Sequence, residues 1–487
     1  MILLVILIPI VSGALISLVP FKKRGHMELF LEMMVIINSF LVWYLLLHRP
    51  ADNFTLVNFT GNLSVSFKVD GMSMVFAGLV STLWPLATLY AFEYMTKEEH
   101  EKIFFTFYTM TYGVTLGISL ASNLLTMYFF YELLTLITVP LVMHTLTREA
   151  ILASRKYLYY SLGGAAFAFI GLIFIITYGN TTDFVLGGVL DLEKIRGRTN
   201  VLLLIYVIAF MGFGVKAAVC PFNSWLPDAG VAPTPVTALL HAVAVVKSGA
   251  FAAIRLTYYS FGTEFLRGTW AQDLLMIIVM FTIVYGCSRA VKETHIKRRL
   301  AYSTISNLSY ILFGVTIMTP LGMMVALTHL VFHAVMKISS FFCAGAIMHQ
   351  TGKHYVHELD GMGYKMPCVF GVFTVSSLAL MGVPGMAGFV SKWYLASAAV
   401  ESGNGIAYAG IGCLLISALL TAIYMFTIVI RAFFPVKGYD ASVLEGIKDP
   451  NWKMLVPLLI FTGNMIMFGL WSGPVLKFLS DVAAGVY

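Results

Sequence analysis

The sequence predicts an all-α membrane protein, and three observations carry that reading. Of 487 residues, 59% are hydrophobic and only 11% are charged, a balance that excludes a soluble globular domain. About fourteen apolar runs follow one another, most long enough to cross a bilayer as a helix. The net charge of +7 alternates: 19 of the 31 lysines and arginines, Lys297 and Arg299 among them, lie in connections that follow odd-numbered runs. The opposite connections carry eight, Arg255 included. By the positive-inside rule the basic loops face the cytoplasm and both termini face outward. The charge therefore orients the chain in its membrane and is no nucleic-acid footprint.

In chain order the runs lie near 2–20, 28–47, 71–95, 103–121, 123–145, 157–178, 200–220, 233–257, 270–290, 300–318, 321–348, 367–399, 405–430 and 454–480. The first lacks a basic leader and a small-residue cleavage site, so it reads as a span and not a removed signal. It and the second are plain anchors. Between Arg49 and Asp70 the alternation NFTLVNFTGNLSVSFKVD predicts an outward β-hairpin. Five scattered cysteines form no CxxC pair and read as free thiols. No haem, iron–sulfur, flavin, nucleotide or metal pattern emerges, and no nucleophile–base pair; neither a cofactor nor a catalytic centre is expected in this chain.

Five charged residues are read as embedded in the apolar runs and not as flanking charges: Glu132, Lys216, Lys247, Lys337 and Lys392. At a helix centre each costs roughly 2.5–3.5 kcal/mol on insertion scales, about 12–18 kcal/mol together. A purely structural protein has little reason to keep them. Lys216 ends the seventh run, and Pro221 follows closely in GVKAAVCPFNSWLPDAGVAPTPVTALLHAVAVVKSG. Proline lacks an amide donor and clashes with the preceding turn, so the span must break or end near Lys216. Broken backbone at membrane depth needs protein or a water-filled cavity around it. The twelfth run, VSSLALMGVPGMAGFVSKWYL, repeats the design, with Gly382, Pro384, Gly385 and Gly388 interrupting it before Lys392. Interruptions at matching places in two halves point to an internally repeated transporter. Two inverted five-span repeats are expected, over 103–257 and 270–434, preceded by three helices in 1–102 and followed by a fourteenth in 435–487.

Glu132 sits within the fifth run and requires a cation, for which Lys216 is the candidate. In the eighth run His241 and Lys247 are six residues apart, about 120° around a regular helix. In the eleventh, THLVFHAVMKISSFF, His329, His333 and Lys337 recur every fourth residue and form one polar stripe. Imidazoles accept and donate protons near neutral pH, so the stripe suits a hydrated proton wire. Zinc fits poorly: a third ligand is missing and the lysine opposes a cation.

FFYELLTL around Glu132, GVKAAVCPFNSWLPDAGVAPTPVTALLHA, THLVFHAVMKISSFF and GVPGMAGFVSKWYL together resemble one family. It comprises the antiporter-like subunits of respiratory complex I, the multi-subunit Mrp sodium/proton antiporters and the energy-converting membrane hydrogenases. The resemblance implies a fourteen-span subunit with broken seventh and twelfth spans and a proton path along a central hydrophilic axis. Glu132 and Lys216 would be its coupled pair, Lys247 and Lys337 its central relays, and Lys392 its terminal group. The chain resembles the shorter members, and HELDGMGYKMP and GFVSKWYL lean towards the Mrp and hydrogenase branch. Pro384-Gly385 stands where the family often has Pro-Pro. The resemblance also implies partners: other antiporter-like and small membrane subunits and, if redox-driven, soluble iron–sulfur subunits, at an inner (cytoplasmic) membrane. A Mrp-type sodium/proton antiporter subunit is the alternative. A sodium site asks for more than one deep carboxylate or several unwound carbonyls, and the reading finds only Glu132.

Overall fold

The structure, a computed structural model, describes residues 1–50, 53–60, 63–435 and 444–487. Lys437, counted above among the cytoplasmic basic residues, lies outside them. Twelve helices among the described residues are long and apolar enough to cross a membrane, and two apolar helices are shorter. The short ones, α1 (Ile2–Leu18) and α15 (Pro367–Met381), stand at the first and twelfth expected runs. α2 (Arg24–His48) leads to the expected hairpin, in which β1 (Phe54–Asn58) pairs antiparallel with β2 (Ser64–Phe67). Asp70 then caps α3 (Gly71–Tyr94) by accepting from the Ser73 amide at 2.9 Å.

α4 (Glu101–Leu120), α5 (Leu124–Val142), α6 (Arg148–Tyr178) and α7 (Thr199–Lys216) follow. α7 stops at Lys216, as Pro221 requires, and a short α8 (Trp225–Asp228) lies beyond the gap. The eighth span is one continuous rod over Thr234–Phe261. Within it, α9 (Thr234–Ala238) and α10 (Val245–Ile254) are joined by a π-helical turn over Leu239–Val243, and a second π-helical stretch covers Arg255–Phe261. A short α11 (Thr263–Leu266) precedes α12 (Trp270–Lys292) and α13 (Ile296–Ile317).

α14 (Pro320–Thr351) is the longest helix, at 32 residues, and its ends follow capping chemistry. The Thr319 hydroxyl accepts from the Gly322 amide at 3.0 Å, Pro320 occupies the first turn, and Gly352 closes it at φ 68°. The twelfth span divides into α15 and α16 (Ala387–Glu401), with Gly382 and Gly385 at positive φ between them. After α17 (Gly405–Phe433), the fourteenth run becomes two helices, α18 (Trp452–Leu470) and α19 (Gly473–Ala483).

The Thr234–Phe261 rod and α13 are buried along their whole apolar windows, and α14 nearly so. These three form the axis, with α3, α15, α16, α18 and α19 packed on α14. α2, α6, α17 and α18 bury only a minor part of theirs and present leucine, isoleucine and phenylalanine outward. Three basic residues assigned above to loops belong to this interior. Lys297 and Arg299 are buried in the first turn of α13, and Lys297 donates to the Ala232 carbonyl at 2.8 Å. Arg255 is fully buried within the eighth-span rod and donates to Asp70 at 2.7 Å beneath the hairpin. Burial alone would raise the Asp70 carboxyl, but Arg255, Lys68 and the Ser73 amide overcome it and hold it down at about 2.

Candidate functional site

The interior holds several cations and imidazoles, all but His241 hydrogen-bonded to another helix or to freed backbone. Lys216, at the end of α7, is fully buried. Its ammonium donates to the Tyr131 carbonyl of α5 and lies over the Tyr131 ring, 3.3 Å from the centroid. The Tyr131 hydroxyl in turn donates to the Phe213 carbonyl of α7 at 3.1 Å, so one tyrosine clasps both helices. Glu132, the next residue, points about 100° away around α5. Among the described residues it makes no ion pair within 4.0 Å, and its buried Oε1 has no hydrogen-bond partner. The expected pair are therefore neighbours without touching, and Tyr131 holds the lysine between them.

Further along, the Lys247 ammonium meets His333 Nδ1 at 2.7 Å, joining α10 to α14. His333 and His329 stack with ring centroids 5.6 Å apart. His329 Nδ1 then meets the Ser391 hydroxyl of α16 at 2.9 Å. The stripe predicted on α14 divides at Lys337, whose ammonium turns to α13 and donates to Ser303 Oγ at 2.7 Å and the Leu300 carbonyl at 3.2 Å. Lys392 is partly buried; it donates to the Leu380 and Met381 carbonyls at 2.7 and 3.0 Å. These are the acceptors that the end of α15 leaves open.

His241 is fully buried with its ring 4.9 Å from that of Phe341, and neither ring nitrogen has a partner among the described residues. It lies in the π-helical turn, so its angle to Lys247 does not follow the 100° per residue of a regular helix. The sequence reading missed Tyr131 and Ser391, ordinary residues whose only signal is the cation or imidazole each one meets, and it gave Ser303, noted only for standing where the second half lacks an acid, no partner. It also missed Glu32, an acid inside α2 whose buried Oε2 has no hydrogen-bond partner among the described residues. Glu132 is thus not alone among acids at membrane depth. No group of three or more histidine, cysteine or acidic residues that could hold a metal occurs among the described residues.

The fold is a multi-pass helical bundle with interrupted spans and lysines and histidines buried in its interior. The family model described as "NADH:quinone oxidoreductase/Mrp antiporter, TM" matches residues 121–421. That described as "NADH-Ubiquinone oxidoreductase (complex I), chain 5 N-terminus" matches 57–105. This chain belongs to that family of antiporter-like membrane proteins. It is 28% identical over 427 residues to NADH-quinone oxidoreductase subunit N of Desulforudis audaxviator, covering 85% of this chain and 83% of that one. It is 30% identical over 439 residues to a Na(+)/H(+) antiporter subunit of Alkalihalophilus pseudofirmus, covering 84% of this chain but only 53% of that protein. Its fold matches a chain of the membrane-bound sulfane sulfur reductase, an archaeal respiratory membrane complex, with TM-score 0.85 at 20% identity over 99% of this chain and 97% of that one.

Proposed function

We propose that this chain is a proton-translocating, antiporter-like subunit of a multi-subunit respiratory or energy-converting complex. Both termini face outward from a cytoplasmic membrane, and the driving redox chemistry resides in partners, iron–sulfur subunits among them. What supports this reading is that Lys216, Lys247, His333 and His329 are buried and Lys392 half-buried inside the bundle, each held from another helix, the stacked imidazole or freed backbone. An amine in such a site favours neutrality, while a nearby carboxylate favours its charged form. When Lys216 leaves Tyr131 and closes on Glu132, it holds its proton; when it opens, it releases the proton towards Lys247. His333 and His329 then pass it on, with His241 and Lys337 flanking them, and Lys392 is the terminal group. The spans 103–257 and 270–434 act as two inverted repeats around these groups.

A sodium/proton antiporter subunit is the second reading. It is favoured by the antiporter relative and by Glu32, a second carboxylate at membrane depth. The native complex reconstituted in liposomes separates the two, with internal pH followed by a dye under a redox drive and under an imposed sodium gradient. Proton movement driven by redox alone supports the first reading, and movement only under the sodium gradient supports the second. Lys216→Ala and Glu132→Ala should each lose most of the transport, and the double variant should cost little more than either. Near wild-type transport in both single variants would overturn the coupled pair.

A further inference from the structure

Asn464 lies in the apolar span α18, near its Leu470 end, and its side-chain amide makes no hydrogen bond among the described residues. It faces a crevice of about 190 Å³ enclosed by α2, α3, α14, α18 and α19. The other polar atoms of the lining are paired with each other or with backbone. The Trp43 indole donates to Thr82 Oγ1 at 3.2 Å, and Thr82 donates to the Gly78 carbonyl at 2.8 Å. Along α3 the lining runs from Met74 to Leu83, about 13 Å at 1.5 Å per residue, so the crevice is a slot one hydrocarbon chain wide. Its floor includes Val331 and Val335, on the face of α14 opposite His329 and His333. Trp43, 41% exposed, stands at the mouth, and α2 and α18 beside it present Phe40 and Leu470 outward, 73% and 74% exposed. Exposed apolar surface of this kind on a membrane bundle faces hydrocarbon.

The hairpin-side end of the crevice carries a cation. Phe478, in the lining, packs on the Tyr487 ring with centroids 5.5 Å apart, and the Arg49 guanidinium lies 4.1 Å from the centroid of that same ring. Arg49 makes no ion pair among the described residues. The groups are ordered by depth. Val335 lies about 22 Å from the Pro320 end of α14, Asn464 about 9 Å from the Leu470 end of α18, and Arg49 directly follows α2. By the alternation of the spans these three ends share the hairpin side. From depth to surface the protein thus offers an apolar slot, a free amide and a free positive charge. We infer that the crevice binds a phospholipid, with one acyl chain in the slot, an ester carbonyl accepting from the Asn464 amide and the phosphate beside Arg49. A small, mostly apolar site with a few placed polar groups fits such a ligand, and an unpaired arginine suits its headgroup. An isoprenoid chain would fill the slot and leave Arg49 unmet; free phosphate would meet Arg49 and leave the slot unfilled.

The test uses the intact complex in phosphatidylcholine nanodiscs containing phosphatidylglycerol with a photoreactive diazirine on one acyl chain. Mass spectrometry should find the label on the α14 peptide around Val331 and the α18 peptide around Asn464, and unlabelled phosphatidylglycerol should compete it away. Val331→Phe fills the slot and should lower this labelling more than tenfold, since the room of about two methylene groups is lost. Val475→Phe, at the α19 wall of the crevice, gives the same readout should the first variant fail to assemble. Arg49→Gln should weaken phosphatidylglycerol about fivefold, the effect of one cation beside an anionic headgroup, and leave the labelled positions unchanged. Label spread evenly over the lipid-facing helices, or unchanged by the slot-filling variants, would overturn the site. So would competition by a long-chain isoprenoid quinone and none by phosphatidylglycerol, because the slot would then hold a different chain. Wild-type affinity in Arg49→Gln would overturn the phosphate contact.

Discussion

At the break after α7 the lysine belongs to the half-helix that ends; at the break after α15 it belongs to the half that begins. The carbonyls freed at the end of α7 have other partners. The Val219 amide takes the Gly214 carbonyl at 3.0 Å, and the Trp225 indole donates to the Val215 carbonyl at 2.9 Å. Lys216 therefore reaches across to Tyr131. At the end of α15 the Gly382 and Val383 amides take the Leu378 carbonyl, but Leu380 and Met381 are left to the Lys392 ammonium. One lysine is thus free to bridge two helices, while the other also serves as the cap of its own interrupted span. The same sequence design yields a bridge between two helices in one place and a clamp on its own span in the other, and the Trp225 indole marks the difference.

The largest expected effect comes from the glycines that let each break close. A Cβ on Gly388 would stand 1.8 Å from the Ala379 carbonyl oxygen, and one on Gly249 would stand 2.6 Å from the Ala217 amide nitrogen. Both neighbours are backbone and cannot step aside as a side chain could. Gly388→Ala should cost more than the ~1–3 kcal/mol of ordinary overpacking and remove the subunit from the assembled complex, with Gly249→Ala milder. Native gels of the two complexes check the order, and equal loss would mean the breaks are equally tight.

Next in size is the pair Lys216→Met and Lys392→Met, which keep apolar length and delete the ammonium. Lys216→Met should remove most transport with little change in thermal unfolding. Lys392→Met should lower both, because it strands two helix-end acceptors at about 1–3 kcal/mol each where burial keeps water away. Lys392→Arg should keep the cap and the melting temperature but restore transport poorly, since arginine hardly deprotonates. If the two methionine variants melted alike, the contrast between clamp and bridge would be lost.

The smallest effect tests the indole. Trp225→Phe removes one hydrogen bond, worth about 1 kcal/mol, and leaves the Val215 carbonyl with the Ala218 amide and a free lone pair within reach of Lys216. Transport should fall by a modest factor while Lys392-dependent stability stays unchanged. Unaltered transport would show that Trp225 does not keep Lys216 free.

The order of spans, the hairpin and both interruptions were legible because each depends on local causes: apolar run length, alternation, and the amide that proline lacks. The buried ionisable residues were legible too, since a charge among apolar neighbours stands out in any window. Partners were not. Lys216 meets Tyr131 across 85 positions, Lys247 meets His333 across 86, and Lys337 turns to Ser303 across 34. Tyrosine and serine in an apolar run give no local sign of what they will face. Arg255, Lys297 and Arg299 read as loop charges because they lie near the ends of runs, and only packing against other helices buries them. Likewise the π-helical turn at Leu239–Val243 changes the rotation between His241 and Lys247. A helix takes that costly register only where its neighbours hold it, so tertiary packing, and not the sequence period, decided which way Lys247 points.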